Sequence, residues 1–272
     1  MLILVGIALM TFSLLAGLRY GSRGALPLVG LVCVVSAIGL EPALGLAPVM
    51  GLVAVLQLER QQSFGRTVAM AAAPAVGLSL WQVLQVSDAA FREARAATLL
   101  DQVGALGMTT QEEGAAFVAM VDAALRVQPA FELASLLLTF ILGYRLSQSL
   151  APRLELGLPA PLPLPLWRPW EELIWVLVGA LALGLLADGW LTDLALNVAV
   201  FMAVLYSTQG VAVLRFFARR QGVPLLVELI FYLALLLVAG LAFILLAGIG
   251  LLDTWFDWRR LRPVAPEEQE EA

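Results

Sequence analysis

Four polar residues interrupt a long apolar run in the C-terminal half of the chain: Asn197, Tyr206, Thr208 and Gln209. At a helical step of about 100° per residue, Asn197 and Thr208 fall on nearly one face, and Gln209 lies beside it. Polar groups inside a membrane are costly, so each needs a partner. Facing a cavity, such a strip would hydrogen-bond a small hydrophobic or amphipathic ligand. Facing another helix, it would supply packing bonds of about 0.6 kcal/mol each. Gly210 suits close helix approach under either reading.

A second group is charged. Asp253, Asp257 and Arg260 are spaced four and three apart, which puts them on one helical face at the end of the last apolar run. Two carboxylates at one depth require a cation, and Arg259 or Arg260 is placed to supply it. Trp255 and Trp258 lie on a different face, and Trp167 and Trp170 precede an earlier run; all four rings suit the headgroup level of a bilayer. The cluster is therefore either an interfacial anchor or a functional ion-paired site. Glu132 and Glu228 stand about one turn inside their runs, within reach of an interface. Glu171 and Glu172 suit a helix N-terminus, where negative charge complements the dipole.

Much chemistry is excluded by residue type. The sequence has no His, and all sixteen of its basic residues are Arg. A His metal site and a His general base are both impossible. Cys33 is the single cysteine, so no internal disulfide or Cys cluster exists. No Gly-rich turn is followed by a Lys, so there is no phosphate loop. We expect no catalytic residues, metal or cofactor, and hence no enzyme. An acidic run at 267–271 contributes to the net charge of −5, which gives nucleic-acid binding no electrostatic support.

The elements that position these residues follow from hydropathy. Of 272 residues, 61% are hydrophobic and 14% charged, where a soluble domain carries about a quarter charged. The apolar residues run in blocks long enough for a hydrocarbon core of roughly 30 Å. Nothing alternates as barrel strands would, so the spans are helical. We read spans at 2–18, 25–40, 42–57, 67–86, 130–149, 171–187, 194–214 and 224–252. Glu41-Pro42 separates the second from the third, and the last can bend at Gly240, so the count is seven or eight. The first segment lacks a basic leader and reads as a span rather than a cleaved signal.

The polar insert at 87–129 reads as an amphipathic surface hairpin. Ser87 and Asp88 are N-cap candidates, and Thr110-Gln111-Glu112-Glu113 forms a capping box. Phe117, Val118, Val121 and Leu125 share an apolar face opposite Glu113 and Asp122. The alternative is a solvated connector packed on the bundle. Pro159, Pro161, Pro163 and Pro165 then impose an extended segment. The whole is a single integral membrane domain over 1–272: a first helical group 1–86, the hairpin 87–129, a span 130–150, the Pro-rich linker 151–168, a C-terminal half 169–262 and an acidic tail 263–272. Arginines at 19 and 23, at 60 and 66, at 145, 153 and 168, and at 215, 219 and 220 cluster at alternate span ends, which would be cytoplasmic. Strict alternation puts Arg259, Arg260 and Arg262 on the other side, against the same rule.

The C-terminal half also carries a resemblance. Pro165-Leu166-Trp167, the run Asn197-Val198-Ala199-Val200, the run Leu205-Tyr206-Ser207-Thr208-Gln209-Gly210-Val211-Ala212-Val213, and the closing Gly250-Leu251-Leu252-Asp253-Thr254-Trp255-Phe256-Asp257-Trp258-Arg259-Arg260 resemble the YybS-type family of bacterial multi-pass membrane proteins, a family of unknown function. That family is distantly similar to the S components of energy-coupling-factor transporters and to the cell-shape protein MreD. The resemblance implies an S-component-like all-α polytopic bundle in the bacterial inner (cytoplasmic) membrane. Two functions follow as expectations. One is small-molecule binding for transport, with a coupling-module partner docking near Ala71-Ala72-Ala73-Pro74-Ala75. The other is an assembly role through protein contacts, with the 87–128 hairpin and the acidic tail as docking surfaces. In both, the lipid bilayer is the principal partner.

Overall fold

A computed structural model describes residues 2–39, 42–62, 64–105, 114–159 and 163–261. Nine α-helices are defined among them: α1 (Leu2–Gly39), α2 (Pro42–Glu59), α3 (Phe64–Val86), α4 (Ala89–Ala105), α5 (Gly114–Leu150), α6 (Leu173–Leu186), α7 (Trp190–Arg220), α8 (Leu225–Leu237) and α9 (Ala239–Phe256). Short 3-10 turns at Ala151–Leu154 and Leu164–Leu166 contain prolines and flank the Pro-rich segment. No strand occurs among the described residues, as expected where each backbone must satisfy itself.

Among the described residues, five helical segments are long and apolar enough to cross a membrane: Ile3–Val34, Phe64–Val86, Val118–Leu154, Trp190–Arg220 and Ala239–Phe256. Three apolar helical segments are shorter: Gly45–Glu59, Leu173–Leu186 and Leu225–Leu235. The first two expected spans run together in α1 but are broken between their expected bounds, at Gly21 (φ 76°, ψ 161°), a conformation that only glycine adopts without strain. The boundaries differ from the sequence reading in two further places. The second arm of the expected hairpin is continuous with the fifth span: α5 runs 37 residues, about 55 Å at 1.5 Å per residue and well beyond a hydrocarbon core of roughly 30 Å. The last expected span is two helices that meet at Val238 (φ −113°, ψ 38°), two residues before the glycine where a bend was expected. Glu41 and the capping box at 110–113 lie outside the described residues.

Two compact units divide the chain. The first comprises Met1–Pro161 with Gly179–Phe201, and the second Leu162–Val178 with Met202–Ala272. The core of the first is built from α1, α2, α3 and α5, with Met10, Leu14, Met50, Val55, Ala71, Ala75, Leu133, Phe140 and Tyr144 buried together. Of the run Ala71-Ala72-Ala73-Pro74-Ala75, weighed above as a coupling patch, Ala71 and Ala75 are buried, Ala72 and Pro74 are half-buried and Ala73 is exposed.

In the second unit, α7 and α9 cross with their backbones touching. A Cβ at Gly210 would collide with the Leu246 carbonyl, and one at Gly250 with the Tyr206 carbonyl. Small residues at such crossings are the usual basis of close helix packing in membranes.

Candidate functional site

Asn197, in the first unit, is buried and fully engaged. Its Oδ1 accepts the Ala130 N–H at 2.9 Å, and its Nδ2 donates to the carbonyls of Arg126 at 2.7 Å and Asp193 at 2.8 Å. Ala130 and Arg126 are the pair that would bond to each other in an unbroken helix, and Pro129 lies between them. Proline removes one ladder bond and crowds the preceding turn. The amide of Asn197 thus takes up both backbone groups at the disturbed turn.

The same turn carries the base of the hairpin. After α3 ends at Val86, Asp88 Oδ1 accepts the Ala90 N–H at 2.9 Å and caps α4, as its sequence position suggested. Ala96, Val121 and Leu125 are buried between α4 and α5, with Leu99 against them. Val118 and Asp122 do not divide between faces as expected. Val118 is 39% exposed, and the Asp122 side chain, 38% exposed, is paired with two arginines, Arg92 Nε at 2.8 Å and Arg126 Nε at 3.0 Å. Arg126 also approaches Asp193 at 3.6 Å. Charge pairing and apolar burial together clamp the two arms. The side chain of Phe117 lies outside the description.

Beneath this clamp is a cavity of about 200 Å³. Its floor is Gln82, Gln85 and Val86 from α3, its wall Phe91 and Arg95 from α4, and its other side Leu125, Gln128 and Pro129 from α5. Gln82 Nε2 donates to Glu132 Oε2 at 2.7 Å, leaving Gln82 Oε1 buried without a partner. Unlike Arg92, Arg95 forms no ion pair among the described residues. The sequence reading named Leu125 and Glu132 but passed over Gln82, Gln85, Arg95 and Gln128. Gln82 and Gln85 carried a local signal, because they are about one turn apart near the end of a mostly apolar helix.

In the second unit, Gln209 and Asp253 come together. Asp253 Oδ2 accepts Gln209 Nε2 at 3.0 Å, Arg259 Nη2 at 2.8 Å and Arg259 Nε at 3.1 Å. Thr254 Oγ1 donates to Gln209 Oε1 at 3.3 Å. The Asp253 and Arg259 side chains are 1% and 0% exposed. Arg259 Nη1 also donates to the carbonyls of Pro165 at 2.8 Å and Trp167 at 3.0 Å, in a proline-rich stretch poor in backbone donors. The pair thus ties the end of the Pro-rich segment to the end of α9.

Arg259, not Arg260, is the partner of Asp253, because α9 stops at Phe256 and Asp257 turns left-handed (φ 43°). That turn leaves Arg260 exposed and brings Arg259 back inward. Asp257 instead lies 3.5 Å from Arg168, whose Nη2 also reaches Glu171 at 3.1 Å and the Thr254 carbonyl at 2.8 Å. In the sequence Arg168 was read only as one of the arginines marking a cytoplasmic span end.

The remaining polar candidates lie close to these groups in sequence. Tyr206 is 2% exposed and its hydroxyl has no partner among the described residues. Thr208 is exposed and donates to Val204 of its own helix at 3.0 Å. Of the four tryptophans, Trp170, Trp255 and Trp258 are exposed and Trp167 is half-buried. Trp258 stacks on Phe256 at 6.1 Å.

Long apolar helices, with polar side chains bonded to one another and to the backbone, define a multi-pass α-helical membrane protein. Residues 1–254 match the model of a family described as "Predicted membrane protein (DUF2232)", and the chain belongs to that family. No curated protein and no solved structure matches it.

Proposed function

We propose that this is a non-enzymatic protein of the bacterial inner membrane that binds a small molecule, as S components of energy-coupling-factor transporters do, and works with a partner subunit. The observation that carries the reading is the cavity at the base of the hairpin. It combines a cation at Arg95 and an acceptor at Gln82 Oε1, neither with a partner among the described residues, and the apolar surface of Phe91, Leu125 and Pro129. A small apolar-walled cavity with a few convergent polar groups is the usual form of a ligand site. The resemblance of the C-terminal half to the YybS-type family is consistent with it. The polar strip of α7 contributes less, since Asn197 and Gln209 already have protein partners.

The test is native mass spectrometry of the full chain released from a bacterial membrane. A small molecule should be retained by the wild type and lost from Gln85→Trp, which fills the cavity. A second reading, an MreD-like assembly protein, draws on the hairpin surface, where Phe91, Val118 and Met120 are exposed. A photo-crosslinker at Ala97 that captures a stable protein partner, with no retained ligand, would replace the first reading with the second.

A further inference from the structure

Resting on the small-molecule reading of the hairpin cavity, we propose that its ligand is a singly charged phosphodiester bearing a glycerol hydroxyl, as in the headgroup of an anionic phospholipid. Arg95 supplies the charge that a phosphate oxygen requires. The side chains of Gln85 and Gln128 form no hydrogen bond among the described residues, so their N–H groups are available to the same anion. Phosphate binding by guanidinium and amide donors is charge-assisted and correspondingly strong. Gln82 Oε1 is the complementary feature: it has no hydrogen-bond partner among the described residues, and a glycerol O–H provides one once the amide turns toward the cavity.

The neighbouring carboxylate decides between kinds of phosphate. Glu132 is hydrogen-bonded to Gln82 at 2.7 Å, so a negative charge already stands next to the cavity. A phosphomonoester, carrying about −1.5 to −2 near neutral pH, would meet more repulsion there than a diester carrying one charge. Size and depth agree. A volume of about 200 Å³ equals roughly six or seven waters at about 30 Å³ each, enough for a headgroup and too small for acyl chains. The floor lies in the last turns of α3, where Trp81 and Leu84 are exposed. A tryptophan at that position suits headgroup depth, and Leu84 offers a surface for the chains.

The experiment uses the full chain in detergent with equimolar phosphatidylglycerol, phosphatidylcholine and phosphatidic acid, read by native mass spectrometry. Phosphatidylglycerol should be retained preferentially. Arg95→Gln should lower that retention by about tenfold, the fold-change of one charge-assisted hydrogen bond, with the melting temperature unchanged. Arg219→Gln, at an exposed arginine outside the cavity, should leave it intact. Soluble glycerophosphoglycerol distinguishes the sources: displacement of the lipid shows that the headgroup alone suffices, and retention shows that the acyl chains are also read. Equal retention of all three lipids overturns the proposal, as does an Arg95→Gln chain that binds like wild type, or an equal loss in Arg219→Gln. If phosphatidylglycerol is not preferred while an unrelated molecule is retained and then lost from Gln85→Trp, the phosphodiester assignment fails and the binding function stands.

Discussion

The side-chain amide of Asn197 hydrogen-bonds the backbone of α5 on both sides of Pro129. It holds the Ala130 N–H at 2.9 Å and the Arg126 carbonyl at 2.7 Å, the two groups that flank the proline. Asn197→Ala therefore removes two side-chain to backbone hydrogen bonds across Pro129 at once. We expect a loss of about 1–2 kcal/mol, two to three times the average bond of this kind in a membrane protein, read by denaturant titration in micelles. Pro129→Ala restores a backbone donor to α5, so the double variant should lose less than the sum. Strict additivity would show that the amide does not act at the proline.

The Asp253–Arg259 pair makes a different kind of claim, because both charges are buried. Truncating one leaves the other uncompensated, a loss of about 3–5 kcal/mol, whereas replacing both with apolar residues is often close to neutral. Arg259→Met should therefore destabilise the second unit strongly, and Asp253→Leu/Arg259→Met should recover most of the loss. Since Arg259 also holds the carbonyls of Pro165 and Trp167, recovery should stop short of wild type. Unfolding followed by tryptophan fluorescence gives the cycle. A double variant no more stable than Arg259→Met alone would show that the ion pair is not the source of the cost.

These two networks mark the boundary of what the sequence made legible. Span positions were readable because apolar run length is a local property, and α3, α6 and α7 fall close to where they were drawn. Asn197, Gln209 and Asp253 stood out for the same reason: a polar residue in an apolar run is visible without knowing its neighbour. Their partners were only partly legible. The sequence left Arg259 and Arg260 open as the cation for Asp253, and the left-handed turn at Asp257, which no helical spacing encodes, decides for Arg259. Pairing across 67 or more residues, as between Asn197 and Ala130, depends on tertiary packing that no local period encodes. The hairpin cavity was missed because it is assembled from three helices, each contributing one or two unremarkable side chains.

The crossing of α7 and α9 depends on two missing methyl groups. Gly210→Ala and Gly250→Ala each push a Cβ into the facing backbone carbonyl, and backbone cannot rotate aside as a side chain can. Overpacking of this kind costs about 1–3 kcal/mol. Gly248→Ala, with open space at its Cβ position, should be neutral or slightly stabilising, because alanine is the better helix former. Melting temperatures of the three variants in one detergent test this. An equal drop in all three would place the effect on glycine replacement in general.

The last prediction concerns the break in α1. Glu59 closes α2 at its polar end, beside Arg60 and Gln61, and receives the Ser22 N–H on Oε1 and the Ser22 hydroxyl on Oε2, both at 2.8 Å. The backbone bond first, then the hydroxyl bond, hold its carboxyl below the ordinary range. A folded-state value lowered in this way adds stability above the unfolded value of about 4.3. That contribution disappears as pH falls through the lower folded value. Glu59→Gln keeps one acceptor and no charge, so its unfolding midpoint should change less than that of the wild type between pH 6 and pH 3, both limits being about one unit or more from the ordinary value. Because Glu59 is exposed, the difference should be small and should shrink in high salt. Parallel pH profiles for the two proteins would mean that the Ser22 bonds do not hold Glu59 as an anion.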